Sequence, residues 1–363
     1  MLFIACGKKQ TESVVAPWGD VIEEADVSEE FDLTQIQHHG EMIMLTVTGP
    51  DSYYDYHGRA LGTHYMLCQR LAEHLGVSLR VEVCRDTADI HRKIMNGDGD
   101  IAIEADTVGV KWIVSDEKPL LNDTIRKWYQ PSMLAEVKKE EDFLLSTKSV
   151  TRRVFAPMLN SKSGVISHYD AYFKSYSQTI RWDWRLMAAQ CYQESTFDPH
   201  ARSWAGACGL MQIMPSTAEH LGLPASKLFE PESNIAAAAK YIRELDVLLN
   251  DIRERSERID FVLACYNGGY HHIRDAMKLT EKYGGNPHRW SDVSRYVLLL
   301  TQAKYYNDPV VKYGYMRGSE TVDYVRKINQ RWMGYRGVKS SHAGFSGMSP
   351  RKATHQRKKK YQI

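Results

Sequence analysis

Residues 184–199 read WRLMAAQCYQESTFDP, and this stretch decides the fold of the second half of the chain. Its apolar residues recur at helical spacing and predict a helix that buries Trp184, Met187 and Cys191. Glu194 follows Cys191 by one helical turn and therefore falls on the same apolar face. Burial there raises the pKa of a carboxyl group, as a general acid working near neutral pH requires. From this helix alone, a glutamate that pairs with an arginine at a frayed helix end is an equally good interpretation.

Further motifs follow this helix in a fixed order. They are Ser203 with GACGLMQIMP at 206–215, CYNGG at 265–269 and ETVDYV at 320–325. In that order they resemble the lytic transglycosylases of glycoside hydrolase family 23, which share a lysozyme-like helical domain. The runs ISHYD at 166–170 and YGYMRGSE at 313–320 resemble a membrane-bound subgroup of these enzymes, which also places a solute-binding-like domain before the catalytic one.

The resemblance implies a role for particular residues. Glu194 matches the single catalytic acid and base of the family. Positions that line the sugar groove or orient the reacting ring are matched by Ser203, Met211, Gln212, Tyr266, Asn267 and Tyr324. Amides and hydroxyls suit the N-acetyl and hydroxyl groups of a glycan, and Met and Tyr offer apolar faces to pyranose rings. The motif glycines are expected to shape turns, and Cys191, Cys208 and Cys265 are expected to pack in the core.

The reaction that the resemblance implies needs only one carboxylate. Ordinary glycosidases use two, and the nearest acid in sequence, Asp198, occupies a slot that is not catalytic in the family. Glu194 is therefore expected to cleave the β-1,4 bond between N-acetylmuramic acid and N-acetylglucosamine in peptidoglycan and to close a 1,6-anhydro ring, without a cofactor. The alternatives are a hydrolytic goose-type lysozyme, a non-catalytic peptidoglycan-binding lipoprotein, and a solute receptor with a structural helical domain.

The region before the helical domain alternates strands with helices. Apolar strands at 43–47 and 77–83 flank a helix at 61–75, and a second helix leads through NGDGDIAIE at 96–104 to a further strand. This order resembles the first lobe of the periplasmic solute-binding fold, with no room for a second lobe. A docking or regulatory surface, for a protein or a muropeptide, is therefore favoured over a working solute receptor.

These patterns divide the chain into an α+β multidomain protein. Residues 1–40 are predicted to be a lipoprotein signal remnant and tether, and 41–135 a small, single-lobe α/β domain. Residues 136–165 are predicted to form a connector with some helix, and 166–335 an all-α lysozyme-like domain. Residues 336–363 lack a core-forming pattern and are predicted to be a disordered basic tail.

Charge and hydropathy exclude several functional classes. The chain has a formal net charge of +2, but its final segment from Arg336 holds eight Lys or Arg and no acid. The rest is therefore acidic, which argues against a nucleic-acid-binding surface. No stretch reaches the roughly 18 apolar residues that a membrane-spanning helix needs.

The six cysteines show no metal-ligand spacing. Cys6, in MLFIACGKK, follows an apolar run and a small residue, as in a bacterial lipoprotein signal, and is predicted to be lipidated. An incidental cysteine is the alternative. Adjacent His271 and His272 would point apart on a helix, so no metal pair is expected. Together with the peptidoglycan substrate, Cys6 predicts a lipid-anchored protein of a Gram-negative envelope, on the periplasmic face of the outer membrane.

Overall fold

The computed structural model describes residues 31–107, 109–146 and 164–336, and the backbone of two short antiparallel strands, β1 (Val14–Val15) and β2 (Val21–Ile22). Cys6 and almost all of the predicted basic tail lie outside the described residues. The chain divides into two compact units. Of the residues from 31 onward that are described, the first unit holds 31–47, 51–53 and 62–138, and the second holds 48–50, 54–61 and those after 138.

The elements before residue 145 occur in the following order along the chain: α1 (Leu33–His39), β3 (Glu41–Thr46), β4 (Tyr54–Tyr56), β5 (Arg59–Leu61), α2 (Thr63–Leu75), β6 (Ser78–Val83), α3 (Thr87–Met95), β7 (Ala102–Asp106), β8 (Gly109–Ile113), α4 (Pro119–Trp128) and α5 (Ser132–Leu144). In the first unit β3 pairs in parallel with β6, and β7 pairs with β8 in antiparallel fashion. A parallel bridge between Met44 and Ile101 joins β3 to the residue before β7.

The core of the first unit lies between these strands and the helices α1, α2 and α4. Its fully buried side chains include Met42, Met44, Leu67, Leu71 and Leu121. The strand and helix positions agree with the alternating apolar pattern of the sequence, and the α/β class predicted for this region is confirmed. The likeness to one lobe of a solute-binding protein stays a prediction.

Two boundaries differ from those expected from sequence. The predicted tether ends earlier than residue 40, because Asp32 caps α1 and forms a capping box with Gln35, while Ile36 is completely buried. Residues 54–61, inside the stretch predicted as one α/β domain, are the antiparallel hairpin of β4 and β5 and belong to the second unit. Residues 136–146 and 164–165 of the predicted connector are described, and the first of these segments is mainly the end of α5.

The second unit is helical beyond its hairpin, as predicted. Its helices are α6 (Asp170–Thr179), α7 (Trp184–Ser195), α8 (Pro215–His220), α9 (Pro231–Leu248), α10 (Arg255–Gly268), α11 (Tyr270–Lys282), α12 (Trp290–Leu299), α13 (Ala303–Tyr306) and α14 (Gly318–Tyr335). Among the residues that the structure describes, no helix is both long enough and apolar enough to cross a bilayer.

Helix α7 lies between two apolar clusters. Leu186 and Ala189 pack into a cluster with α10, α11, α12 and α14. Met187 and Cys191 pack into another with α6, α9 and the loop after α7. The predicted apolar face is therefore present, but α7 is buried on both sides rather than along one stripe, and this fixes the direction in which its last turn points.

The first unit contains a buried ion pair. Lys118 Nζ lies 2.5 Å from Asp100 Oδ1, and the two side chains are 5% and 4% exposed. Asp100 Oδ2 also accepts a hydrogen bond of 2.7 Å from the backbone N of Ile43 at the start of the sheet. The pair therefore joins the segment before α4 to the central strand β3.

Replacing Lys118 by Met leaves the Asp100 carboxylate buried without its cation. We expect a loss of about 3 kcal/mol in the free energy of unfolding of the first unit, the usual scale for breaking one side of a buried pair. Urea titration read out by hydrogen exchange of peptides from the first unit measures this loss. Lys111→Met, at an exposed position on β8, is the matched control. Equal stability of the two variants would contradict the prediction.

Candidate active site

The candidate acid, Glu194, is carried by the last turn of α7. The helix begins at Asp183, whose side chain accepts a hydrogen bond from the backbone N of Arg185, and it ends at Thr196 in the left-handed conformation (φ 55°). Phe197 is also left-handed (φ 64°), so the chain reverses immediately after the helix. This reversal brings the motif loop at 198–214 back beside Glu194.

The motif loop is held by one buried amide. Asn234 of α9 donates from Nδ2 to the carbonyls of Cys208 and Leu228 at 3.0 and 2.8 Å, and its Oδ1 accepts from the backbone N of Met211 at 2.8 Å. Gly209 lies directly against this amide with φ +78°, and a Cβ there would fall 2.5 Å from Nδ2 of Asn234. The glycine of the motif is therefore required by both backbone conformation and space.

A groove-like cavity of about 840 Å³ opens at Glu194. It brings together all but one of the residues predicted for the site: Glu194, Ser203, Gln212, Tyr266, Asn267 and Tyr324. It also contains groups that were not predicted as site residues, among them Tyr56, His57, Trp204, Met214, Tyr313 and Glu320.

The environment of Glu194 suits a proton donor. Tyr324 of α14, only 4% exposed, donates from its hydroxyl to Oε1 of Glu194 at 2.5 Å. Burial raises the pKa of Glu194 to about 7, against the opposing effects of the Tyr324 hydrogen bond and the nearby His57. A carboxyl group with this pKa can both donate and accept a proton near neutral pH.

Several polar groups predicted to bind sugar are already engaged with the protein backbone. Gln212 donates from Nε2 to the carbonyls of Ala201 and Gly209 at 3.1 and 2.9 Å. Ser203 Oγ accepts from the backbone N of Ala207 at 3.0 Å. These contacts hold the motif loop in shape, and each side chain keeps a polar atom with further hydrogen-bonding capacity at the cavity.

The tyrosine and asparagine of the CYNGG motif connect α10 to the motif loop and to α14, respectively. The Tyr266 hydroxyl donates to the carbonyl of Met211 at 2.8 Å, and burial raises its pKa well above the usual range. Asn267 Oδ1 accepts from the Thr321 hydroxyl at 2.8 Å, which ties α10 to α14 beside Glu320. Gly268 allows this approach, since a Cβ there would fall 2.6 Å from Thr321 Oγ1.

The prediction that Met211 lines the sugar groove is wrong. Its side chain is completely buried in the cluster behind the motif loop and does not reach the cavity. The loop turns sharply at Gln212 (φ 48°), which sends Met211 inward, and the methionine that lines the cavity is Met214. A sequence motif does not reveal this because the turn changes the alternation of side chains.

The hairpin residues Tyr56 and His57 were missed because they lie far from the motifs along the chain. The sequence did carry a weak signal, a Gly at 58 between short β-prone segments, but the pair His57-Gly58 is not among the pairs that identify such a turn. Glu320 lay inside a recognised motif, yet its position in the same cavity as Glu194 became evident only from the fold. The cavity therefore contains a second carboxylate that was not evident from the sequence.

The three cysteines predicted to pack in the core are buried, and the two histidines of the pair have different surroundings. Cys191, Cys208 and Cys265 are buried with free thiols. His271 stacks on Tyr313 with ring centroids 4.2 Å apart, whereas burial lowers the pKa of His272 to about 4. Within the described part of the chain, no group of three or more His, Cys, Asp or Glu is arranged to hold a metal ion.

Comparison with known proteins finds relatives among lytic transglycosylases. The family model described as the transglycosylase SLT domain matches residues 171–288. A membrane-bound lytic murein transglycosylase F of Photobacterium profundum is 37% identical over 194 residues, covering 53% of this chain and 36% of the relative. The protein of that name in Haemophilus influenzae is 39% identical over 172 residues, covering 47% and 34%.

The chain thus spans about a third of the length of these curated relatives. Among solved structures, the 70 kDa soluble lytic transglycosylase of Escherichia coli is 25% identical, with a TM-score of 0.34, and the match covers 47% of this chain and 24% of that one. The family model and the curated relatives confirm the resemblance to transglycosylases with an SLT domain that the ordered motifs predicted.

Removing the Tyr324 hydroxyl tests the environment of Glu194. A hydrogen bond donated to a carboxylate stabilises its charged form, so Tyr324→Phe is expected to raise the pKa of Glu194 above its value of about 7. Carbon-13 NMR of protein labelled at the glutamate carboxyl measures this, with Glu194→Gln assigning the signal. The control is Tyr176→Phe, which removes a hydrogen bond of 3.0 Å to Glu232 outside the cavity. An unchanged or lowered pKa in Tyr324→Phe would count against the prediction.

Proposed function

We propose that the second unit is a peptidoglycan lytic transglycosylase whose catalytic residue is Glu194. The substrate is the β-1,4 bond between N-acetylmuramic acid and N-acetylglucosamine, and the product carries a 1,6-anhydromuramic end. One observation carries this proposal: a partly buried carboxyl group with a pKa of about 7, held by Tyr324, lies in a cavity large enough for a glycan.

The first step uses the protonated form of Glu194. The carboxyl donates its proton to the glycosidic oxygen as the bond from that oxygen to the muramic C1 breaks. Positive charge then develops at C1 and the ring oxygen, where the substrate's N-acetyl group and the polar groups of the cavity stabilise it. The leaving N-acetylglucosamine keeps the proton that Glu194 supplied.

The second step uses the same carboxylate as a base. Glu194 removes the proton of the muramic C6 hydroxyl while the C6 oxygen bonds to C1 and closes the anhydro ring, so no water is consumed. The Tyr324 hydroxyl, which donates to Glu194, stabilises the carboxylate between the two steps. A pKa near the working pH suits a group that must act both as acid and as base.

Hydrolysis of the same bond is the second candidate because Glu320 lies in the same cavity. A second carboxylate is what a lysozyme needs to activate water. Glu320, however, accepts a hydrogen bond of 2.7 Å from the Tyr56 hydroxyl and lies 3.6 Å from His57, and these neighbours, with Arg317, hold its pKa below the usual range although burial opposes them. A carboxylate so engaged is a weak base, which favours the transglycosylase.

The cellular setting is part of the proposal. Acylation of Cys6 would anchor the chain to a Gram-negative envelope, at the periplasmic face of the outer membrane and within reach of the cell wall. The first unit would bind a protein or muropeptide regulator. The wall polymer, a lipid anchor and this regulator are the partners that we propose.

Replacing Glu194 by Gln removes the transferable proton with little change in shape. We expect the rate to fall by at least about 100-fold, within the usual range for general acid–base catalysis. The full chain is incubated with purified peptidoglycan, and the fragments are analysed by mass spectrometry before and after borohydride reduction. Glu244→Gln, which alters an exposed ion pair with His220, is the control.

The fragments also decide between the candidates. Muropeptides one water lighter and resistant to borohydride support the transglycosylase. Reducible ends would replace it with a lysozyme. Absence of fragments, with retained binding to the polymer, would leave a peptidoglycan-binding protein, and full activity of Glu194→Gln would remove Glu194 from the chemistry.

The pH dependence follows from the requirement for a protonated Glu194. The pKa of about 7 means that kcat/KM is expected to decline as the pH rises through about 7, since only the protonated form starts the reaction. Initial rates on soluble glycan strands between pH 5 and 9 measure this limb. A rate that rises across this range would contradict the assignment of the acid.

A further inference from the structure

The hairpin of β4 and β5 is attached to the rest of the second unit at several points. Tyr54 donates from its hydroxyl to the buried Glu141 at 2.9 Å, and Arg59 donates from Nε to the carbonyl of Ala205 at 3.0 Å. The ring of Tyr56 lies parallel to that of Trp204, with an interplanar angle of 6° and centroids 5.9 Å apart. The hairpin is therefore fixed against the motif loop beside the cavity.

The tip of the hairpin is a two-residue turn formed by His57 and Gly58. Both residues have positive φ, 52° and 73°, as in a type I′ turn, and Asp55 Oδ1 accepts a hydrogen bond of 3.0 Å from the backbone N of Gly58. Such turns favour Asn, Asp or Gly at the first position. The turn alone therefore does not explain why a histidine occupies position 57.

His57 contacts the acidic groups of the cavity. Its Nε2 lies 3.6 Å from Oε1 of Glu320, while the Tyr56 hydroxyl donates to the other oxygen of the same carboxylate at 2.7 Å. The His57 side chain is 29% exposed and lines the same cavity as Glu194. Two neighbouring residues of the hairpin thus hold the two oxygens of Glu320.

The titratable groups around Glu194 come from several elements. Glu194 interacts with His57 of the hairpin, with Glu320 and Tyr324 of α14, with Tyr266 of α10, and with Cys191 of its own helix. His57 in turn faces Glu320, Glu194 and Asp55, which raise its pKa although burial opposes them. Apart from burial, which is the largest influence and raises it, the pKa of Glu194 is lowered by His57 and raised by Glu320.

We propose that His57 is a positioning residue of the active site, which holds Glu320 in place and acts by its positive charge on Glu194. The inference rests on the proposed function of Glu194, which it deepens. The hairpin is thereby part of the catalytic site, although it lies more than a hundred residues before Glu194 in the chain. The cation favours the carboxylate form of Glu194, the form that removes the C6 proton in the second step, and offsets the repulsion from Glu320.

The test uses variants that keep the turn. His57→Asn creates Asn-Gly, the pair best suited to a type I′ turn, and removes the cation without loss of the hairpin. His57→Asn combined with Glu320→Gln removes the cation and the anion together. His220→Asn removes a histidine that lies 3.0 Å from Glu244 outside the cavity and is the matched control. Thermal unfolding of the full-length variants verifies that each one is folded.

Two readouts are measured on these proteins. Carbon-13 NMR of the labelled carboxyl gives the pKa of Glu194 without substrate, and the pH profile of peptidoglycan cleavage gives the alkaline limb. Loss of the cation in His57→Asn is expected to move both the pKa of Glu194 and the alkaline limb of the profile to higher pH. In the double variant the pKa of Glu194 and the alkaline limb are expected to lie between those of His57→Asn and those of the parent. In His220→Asn both are expected to match the parent. A displacement of about half a pH unit changes the rate on a limb of unit slope about threefold.

The outcomes separate the inference from the proposed function. The role of His57 is overturned, even if peptidoglycan is cleaved, by an unchanged pKa of Glu194 in His57→Asn. It is also overturned if the pKa of Glu194 in the double variant lies further from the parent value than it does in His57→Asn. A displaced pKa in a protein that yields no anhydro products supports the electrostatic role of His57 and overturns the proposed reaction instead.

Discussion

The second unit depends on one constraint: the carboxyl group of Glu194 must remain at the edge of an apolar core without a cation bound directly to it. Helix α7 meets this constraint because it is packed on two sides, through Leu186 and Met187, so its last turn cannot move toward water. The hydroxyl of Tyr324 then supplies a single neutral donor to Glu194. A neutral donor limits the cost of burying a charge but does not abolish the preference for the protonated form.

The motif loop shows how polar side chains support such a site without acting in it. Asn234 uses both ends of its amide on the backbone of the loop, and Gln212 uses its amide nitrogen in the same way. A buried amide that lost these partners would leave several unsatisfied groups, which makes the loop conformation strongly preferred over alternatives. Residue types that suit sugar recognition therefore also serve to fix the loop, and their presence in a motif does not by itself distinguish the two roles.

The sequence predicted those parts of the fold that rest on local patterns. Helix α7 and the position of Glu194 on its apolar face followed from helical spacing, and the α/β elements of the first unit followed from alternation. Three features were not predictable in this way. Helix α1 is too short to show an apolar period and depends on the Asp32 cap. Met211 turns inward because of one left-handed residue, and the hairpin at 54–61 joins the site through contacts distant in sequence, such as Tyr56 with Glu320.

On the proposed mechanism one carboxyl group serves two opposite proton transfers, and the hairpin bears on how it does so. His57 and Glu320 act on Glu194 with opposite sign, so their combined effect is small compared with that of burial, which is the largest influence on its pKa. The proton affinity of Glu194 is then governed mainly by how much water reaches the cavity. On the proposed pathway, a bound glycan that displaces water favours the protonated acid, and transfer of that proton to the departing N-acetylglucosamine produces the carboxylate that the second step requires. On this pathway the ion pair at the edge of the cavity leaves proton transfer to the substrate to switch Glu194 from acid to base.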